Sequence, residues 1–199
     1  MPIASNMGFF RVPLACEAAP GLGCGTIATP VLADVERQPG VREAWLSREG
    51  TVLGIVWADG RSHADRVLAA LSRHGIAGLE LKGLEHQRSC DFFAAGGWYR
   101  PMQMQELSAE EARVIAARLI RRLEQNVSVS AGTAERLAKR LEDACARALA
   151  GVSATCPSTR RDQIAAALLD AGRDFLDPAT LQALAAVVSL GHRPLPGES

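Results

Sequence analysis

The short link between two strand-like runs limits the topology of this chain more than any other feature. Residues 41–47 and 51–57 are rich in apolar and β-branched side chains, and only Arg48-Glu49-Gly50 separates them. Parallel strands need a crossover of a dozen residues or more, so a three-residue link predicts an antiparallel hairpin, with Gly50 supplying the positive φ of the turn. Upstream, residues 8–15 (GFFRVPLA) suit a strand, which Pro13 places at an edge or at the end of a ladder. A glycine-rich loop over 16–25 follows. From about Thr26, Val31, Leu32 and Val35 repeat at helical spacing until Pro39-Gly40, and Pro30 predicts a helix start at or just before itself. Downstream, Ser62 is placed to cap a helix bearing Val67, Leu68 and Leu71, closed at His74-Gly75, and residues 76–81 supply a last apolar strand.

The predicted order over residues 8–82 is therefore βαββαβ, and the fold class α+β. Residues 83–106 read as a connecting segment whose Phe92, Phe93, Trp98 and Tyr99 pack between two halves of the molecule, because rings of that size need cover. Residues 107–193 read as a small helical bundle. Ser108 with Glu111 forms a capping box ahead of Val114, Ile115, Leu119 and Leu123. A second helix places Leu137, Leu141, Cys145 and Leu149 in one row. Ser158 precedes a third, with Ile164, Leu168 and Leu169, and Asp177-Pro178 opens a fourth. The tail from His192 onward is expected to fray.

Charge narrows the partners. The 22 basic residues equal the 22 acidic ones, so the chain lacks the positive field that nucleic acids or anionic membranes attract. Neither the first ten residues nor any later stretch reads as a leader or as a span of about 20 apolar residues, which predicts a cytoplasmic protein. Five cysteines, at 16, 24, 90, 145 and 156, are an odd number without the dense spacing of a secreted disulfide scaffold, so reduced thiols are expected. Cys145 falls on a buried helical stripe, and Cys156, ahead of Pro157, reads as structural. The four histidines, His63, His74, His86 and His192, lie in different elements, and no nucleophile, base and acid follow one another in a recognisable order. An enzyme is not favoured.

The string Pro20-Gly21-Leu22-Gly23-Cys24, followed by Pro39-Gly40-Val41, resembles the heavy-metal-associated domain family, which includes mercuric-ion binding proteins and copper chaperones. That family carries a G-M-x-C-x-x-C loop before its first helix and a P-G-V or E-G-V turn after it, on a ferredoxin-like βαββαβ fold. The resemblance covers about residues 8–82. It implies that Cys24 stands at the first metal-ligand position, that Leu22 replaces the methionine, and that Ile27 occupies the position of the second cysteine. The function it implies is binding or trafficking of a soft ion, Cu(I) or Hg(II), for which thiolates are the preferred ligands.

A second ligand then has to come from elsewhere. Cys16 reaches Cys24 if the intervening loop folds back, which Gly21 and Gly23 permit. His86 and Cys90 fall one turn apart if their segment is helical, and Met102 and Met104 offer thioethers in the same region. A homodimer sharing one ion between two copies of Cys24 needs no second ligand in the chain. The competing reading is a metal-free module that keeps the fold and binds a protein partner, with Ile27 as its evidence.

Overall fold

The computed structural model describes residues 6–151 and 157–198; Cys156 and the side chain of Ser158 lie outside the described residues. The chain divides into two compact units, residues 6–16 with 20–107, and residues 17–19 with the described part of 108–198.

The first unit is built on a five-stranded antiparallel sheet in the order β4-β1-β3-β2-β5. Its elements are β1 (Met7–Arg11), α1 (Gly25–Glu36), β2 (Val41–Ser47), β3 (Val52–Trp57), α2 (Ala64–Arg73), β4 (Leu79–Glu80), α3 (Gly83–Ala95) and β5 (Trp98–Tyr99). The β2–β3 hairpin closes as the link predicts, with Gly50 at φ +71°. β1 pairs with β3 so that Phe10 lies opposite Leu53 and Phe9 opposite Gly54. Alternation then sorts the side chains onto two faces. Phe10, Leu53, Ile55, Ala44 and Leu46 share one face and are fully buried, as are Leu32 and Val35 of α1 and Val67 and Leu71 of α2. Each large apolar side chain buried this way contributes about 1.5–3 kcal/mol.

The other face carries Met7, Phe9, Val56, Trp45 and Val52, against which Leu81, Cys90, Phe93 and Trp98 pack. This corrects the expectation for 83–106. The segment is α3 and β5, it belongs to the first unit, and Phe93 and Trp98 seal that unit's own sheet. Gly54 makes room for the rings: a Cβ there would stand 3.3 Å from the Phe9 ring and 3.4 Å from that of Trp98. β5 pairs with the outer edge of β2, and β4 pairs with β1. Each of these two edge strands is two residues long, which leaves little open ladder for another chain.

Three local expectations fail here. Pro30 sits inside α1, five residues past its start, where the helix forgoes one ladder hydrogen bond and keeps Val31, Leu32 and Val35 buried. His63, not Ser62, is the N-cap of α2. Of residues 76–81, only Leu79 and Glu80 form a strand, extended by the Leu81 N–H donating to the Phe9 carbonyl at 2.8 Å.

The second unit is helical. α4 (Met104–Glu124) enters it at Ser108, and α5 (Ala131–Gly151), α6 (Pro157–Arg173) and α7 (Pro178–Ser189) complete it. Leu137, Leu141, Cys145 and Leu149 are buried along α5 as their spacing predicts, and Leu119, Leu123, Ile164, Leu168, Leu184 and Val187 fill the same core. The Asp177 carboxylate caps α7, accepting the amides of Ala179 and Thr180 at 3.0 Å each.

Ser108 and Glu111 are not a cap. α4 starts four residues earlier, after a 3-10 turn at Pro101–Gln103, and both side chains lie buried inside the helix. Nor does the tail lack partners over its described residues, 192–198. Arg118 and Arg122 are 2% and 3% exposed. Arg118 donates to the carbonyls of Ala18 and His192, and Arg122 to those of Gly191 and Arg193. Arg122 also forks onto the Glu198 carboxylate at 2.6 and 2.9 Å, which holds that acid down at about 2. Among the described residues, no helix is long and apolar enough to cross a membrane.

Candidate thiol site

The loop between β1 and α1 is shaped by its hydrogen bonds. β1 proper ends at Arg11, yet the N–H groups of Val12 and Leu14 donate to the carbonyls of Thr51 and Gly50 at 2.9 Å each. Every second amide is used, so Pro13, which has none, falls where none is needed. The chain then turns back on itself. The Cys16 N–H donates to the Leu22 carbonyl at 2.7 Å, the Cys24 N–H donates to the Leu14 carbonyl at 2.8 Å, and Ala15 bridges Gly23 in antiparallel sense. In such a ladder directly opposed residues share a face, so Leu14, Cys16, Leu22 and Cys24 lie on one side.

The consequence is that the sulfurs of Cys16 and Cys24 lie within 4.8 Å of each other. Both residues are buried, and neither is in a disulfide. Cys24 is also the N-cap of α1, with extended backbone and no capping bond from its side chain. The amides of a first helical turn point toward that end of the helix, and the dipole favours negative charge there.

The glycines hold this geometry. Gly23 approaches Gly50 so closely that a Cβ on Gly23 would stand 3.0 Å from the Gly50 Cα, and one on Gly50 would stand 2.6 Å from the Gly23 Cα. The Gly23 N–H donates to the Arg48 carbonyl at 2.6 Å, tying the cysteine loop to the β2–β3 turn.

His86 and Cys90 form a separate pair on α3. Cys90 Sγ is 3.6 Å from His86 Nδ1, and His86 Nε2 is 3.0 Å from the Met7 carbonyl oxygen. Among the described residues no third His, Cys, Asp or Glu ligand atom converges with this pair. The four candidate ligands thus form two couples, not one centre. Met102 is 82% exposed while Met104 is buried, so the two thioethers do not share a face. Cys145 is fully buried, and its surroundings, with the Glu111 carboxylate adding to the effect, push its thiol up to about 12, which suits a core residue. Ile27 is 43% exposed on α1, and Leu22 is buried.

No family model, curated protein or solved structure matches this chain.

Sequence reasoning found both couples and missed what supports them. The close approach of Gly23 and Gly50 is visible in the sequence only as two glycines 27 positions apart. The buried arginines sit at positions 118 and 122, spaced one turn apart beside an apolar stripe.

Proposed function

We propose that the first unit is a ferredoxin-like domain of the heavy-metal-associated kind, and that it binds a soft d¹⁰ cation, Cu(I) or Hg(II), through Cys16 and Cys24. The observation that carries this reading is the approach of the two sulfurs to within 4.8 Å across a closed loop. A metal–thiolate bond is about 2.3 Å long, as in zinc sites, so an ion between two thiolates holds them about 3.8 Å apart when bent and about 4.6 Å apart when linear. A disulfide needs about 2.05 Å. The strand order β4-β1-β3-β2 and the helices between those strands support the fold assignment.

In this reading Cys16 replaces the family's second cysteine, whose position Ile27 holds, and the ion arrives and leaves by stepwise thiolate exchange with a donor or acceptor thiol. Reduced thiols and hence a cytoplasmic setting belong to the same proposal. The partners are the metal ion and the protein, or second copy of this chain, that exchanges it.

A titration of the fully reduced chain with Cu(I) against a competing chelator tests this, run in parallel on Cys16→Ala and Cys24→Ala. Competitive binding that both variants lose supports a two-thiolate site. Binding unchanged in either variant, or none by the parent, overturns it. The second outcome would favour a metal-free module that docks a protein partner, for which the exposed Ile27 is the matching feature.

A further inference from the structure

We infer that Cys90 and His86 form a second, independent thiol site, in which Cys90 exchanges with low-molecular-weight disulfides and His86 acts as its general base. The helical register of α3 puts the two residues one turn apart, with Cys90 Sγ 3.6 Å from His86 Nδ1. The tautomer follows from the other nitrogen. His86 Nε2 lies 3.0 Å from the Met7 carbonyl oxygen, which can only accept, so Nε2 carries the hydrogen and Nδ1 presents a lone pair to the Cys90 S–H. Phe9 fixes the plane of the imidazole by an edge contact, with centroids 5.3 Å apart and planes at 72°. Nucleophile, base and an acceptor orienting the base are thus in sequence, as nucleophilic catalysis requires.

Access distinguishes this thiol from the others. Cys16, Cys24 and Cys145 are buried, and Cys90 alone among the described cysteines is half-exposed. Burial, and then the neighbouring Asp91 carboxylate, push the Cys90 thiol above the ordinary range. Little thiolate exists at neutral pH, so exchange there has to pass the proton to a base. On the same helix, Glu85 pairs with Arg11 of β1 at 2.5 Å.

The step balances without a further reagent. Cys90 Sγ attacks one sulfur of R–S–S–R as its proton moves to His86 Nδ1, and the S–S bond breaks. The departing thiolate then takes that proton, leaving Cys90–S–S–R and R–S–H. The disulfide is the oxidant, and it is reduced to one free thiol and one half of the mixed disulfide.

Oxidised glutathione is a suitable probe, with each cysteine of the full-length chain followed by peptide mass spectrometry. The reference is a synthetic peptide of residues 83–95. At about pH 7, Cys90 in the folded chain is expected to react at least tenfold faster than in the peptide, and His86→Gln to remove that advantage. Between about pH 8 and 7 the rate in the folded chain should fall less than threefold, while the peptide follows its thiolate fraction and falls close to tenfold. The proposal is overturned if Cys90 reacts no faster than the peptide or follows the same pH slope. Both comparisons use the parent chain, so they hold even if His86→Gln does not fold.

Discussion

Replacing Gly50 by alanine should destabilise the first unit by about 3–4 kcal/mol, and the structure supplies the parts of that figure. At φ +71° an L side chain carries about 1–2 kcal/mol of strain. The new Cβ would also stand 2.4 Å from the Leu14 carbonyl oxygen and 2.6 Å from the Gly23 Cα. Ordinary contact there begins near 3.4 Å, so the backbone on both sides has to withdraw by about 1 Å (3.4 − 2.4). That withdrawal strains the two bonds from Val12 N–H and Leu14 N–H to the turn, each worth about 1 kcal/mol net. Against a typical domain stability of about 5–15 kcal/mol this is a large fraction.

The assay can isolate the first unit, because Trp45, Trp57 and Trp98 are the chain's three tryptophans and all lie in it. Urea unfolding followed by tryptophan fluorescence therefore reads the sheet domain, while far-UV circular dichroism weights the helices. Gly21→Ala is the control: its φ of +83° carries the same kind of strain, but a Cβ there meets nothing within 4 Å. A Gly50→Ala loss under about 1 kcal/mol, or one no larger than that of Gly21→Ala, would refute the claim that the turn and the cysteine loop are packed backbone on backbone.

Three further outcomes follow from the geometry. Asp177→Ala removes the side chain that accepts two amides of α7 and should lower stability by about 1 kcal/mol, read as an earlier thermal transition in far-UV circular dichroism; an unchanged midpoint would count against the cap. Glu198 has its pKa lowered from 4.5 to about 2 by Arg122, so its stabilisation is complete above about pH 4.5 and disappears as pH falls through about 2. The stability difference between the parent and Glu198→Gln should shrink across that window, and a constant difference would show that the carboxylate does not lock the tail. Ile27→Cys should raise Cu(I) affinity in the chelator competition, because it adds an exposed thiolate three residues after Cys24; no gain would place Ile27 outside ligand reach.

Much of both units was legible because the signals are local. The hairpin at residues 48–50, the row from Leu137 to Leu149 and the Asp177-Pro178 helix start each depend on residues within one or two turns of each other, where spacing alone decides. The failures are places where distant parts of the chain override a local rule. Pro30 should start a helix, but the buried row of Val31, Leu32 and Val35 needs the turn before it. Ser108 and Glu111 match a capping box, but burial of Met104 and Leu107 carries the helix past them. The tail is rich in proline and glycine, yet two arginines 70 or so positions upstream take its carbonyls. Composition reports what a segment would do alone, and these segments do not act alone.

The cysteine loop joins the two kinds of evidence. Cys16 and Cys24 are seven intervening residues apart, a separation with no fixed geometry in a flexible chain, and their meeting rests on backbone bonds at both ends of the loop. Those bonds depend in turn on Gly23 fitting against Gly50, which lies in a different hairpin. A C-x-x-C pair sits on one helical turn and opens outward, so exchange partners reach it directly. A pair formed by folding the loop back is buried instead, at 6% and 9% exposure. An ion held there would meet a partner thiol only after the loop gives way. The same contact that brings the sulfurs together would then slow their release of metal, so Gly50→Ala should speed Cu(I) transfer to a chelator while weakening the fold, and slower transfer in that variant would contradict the coupling.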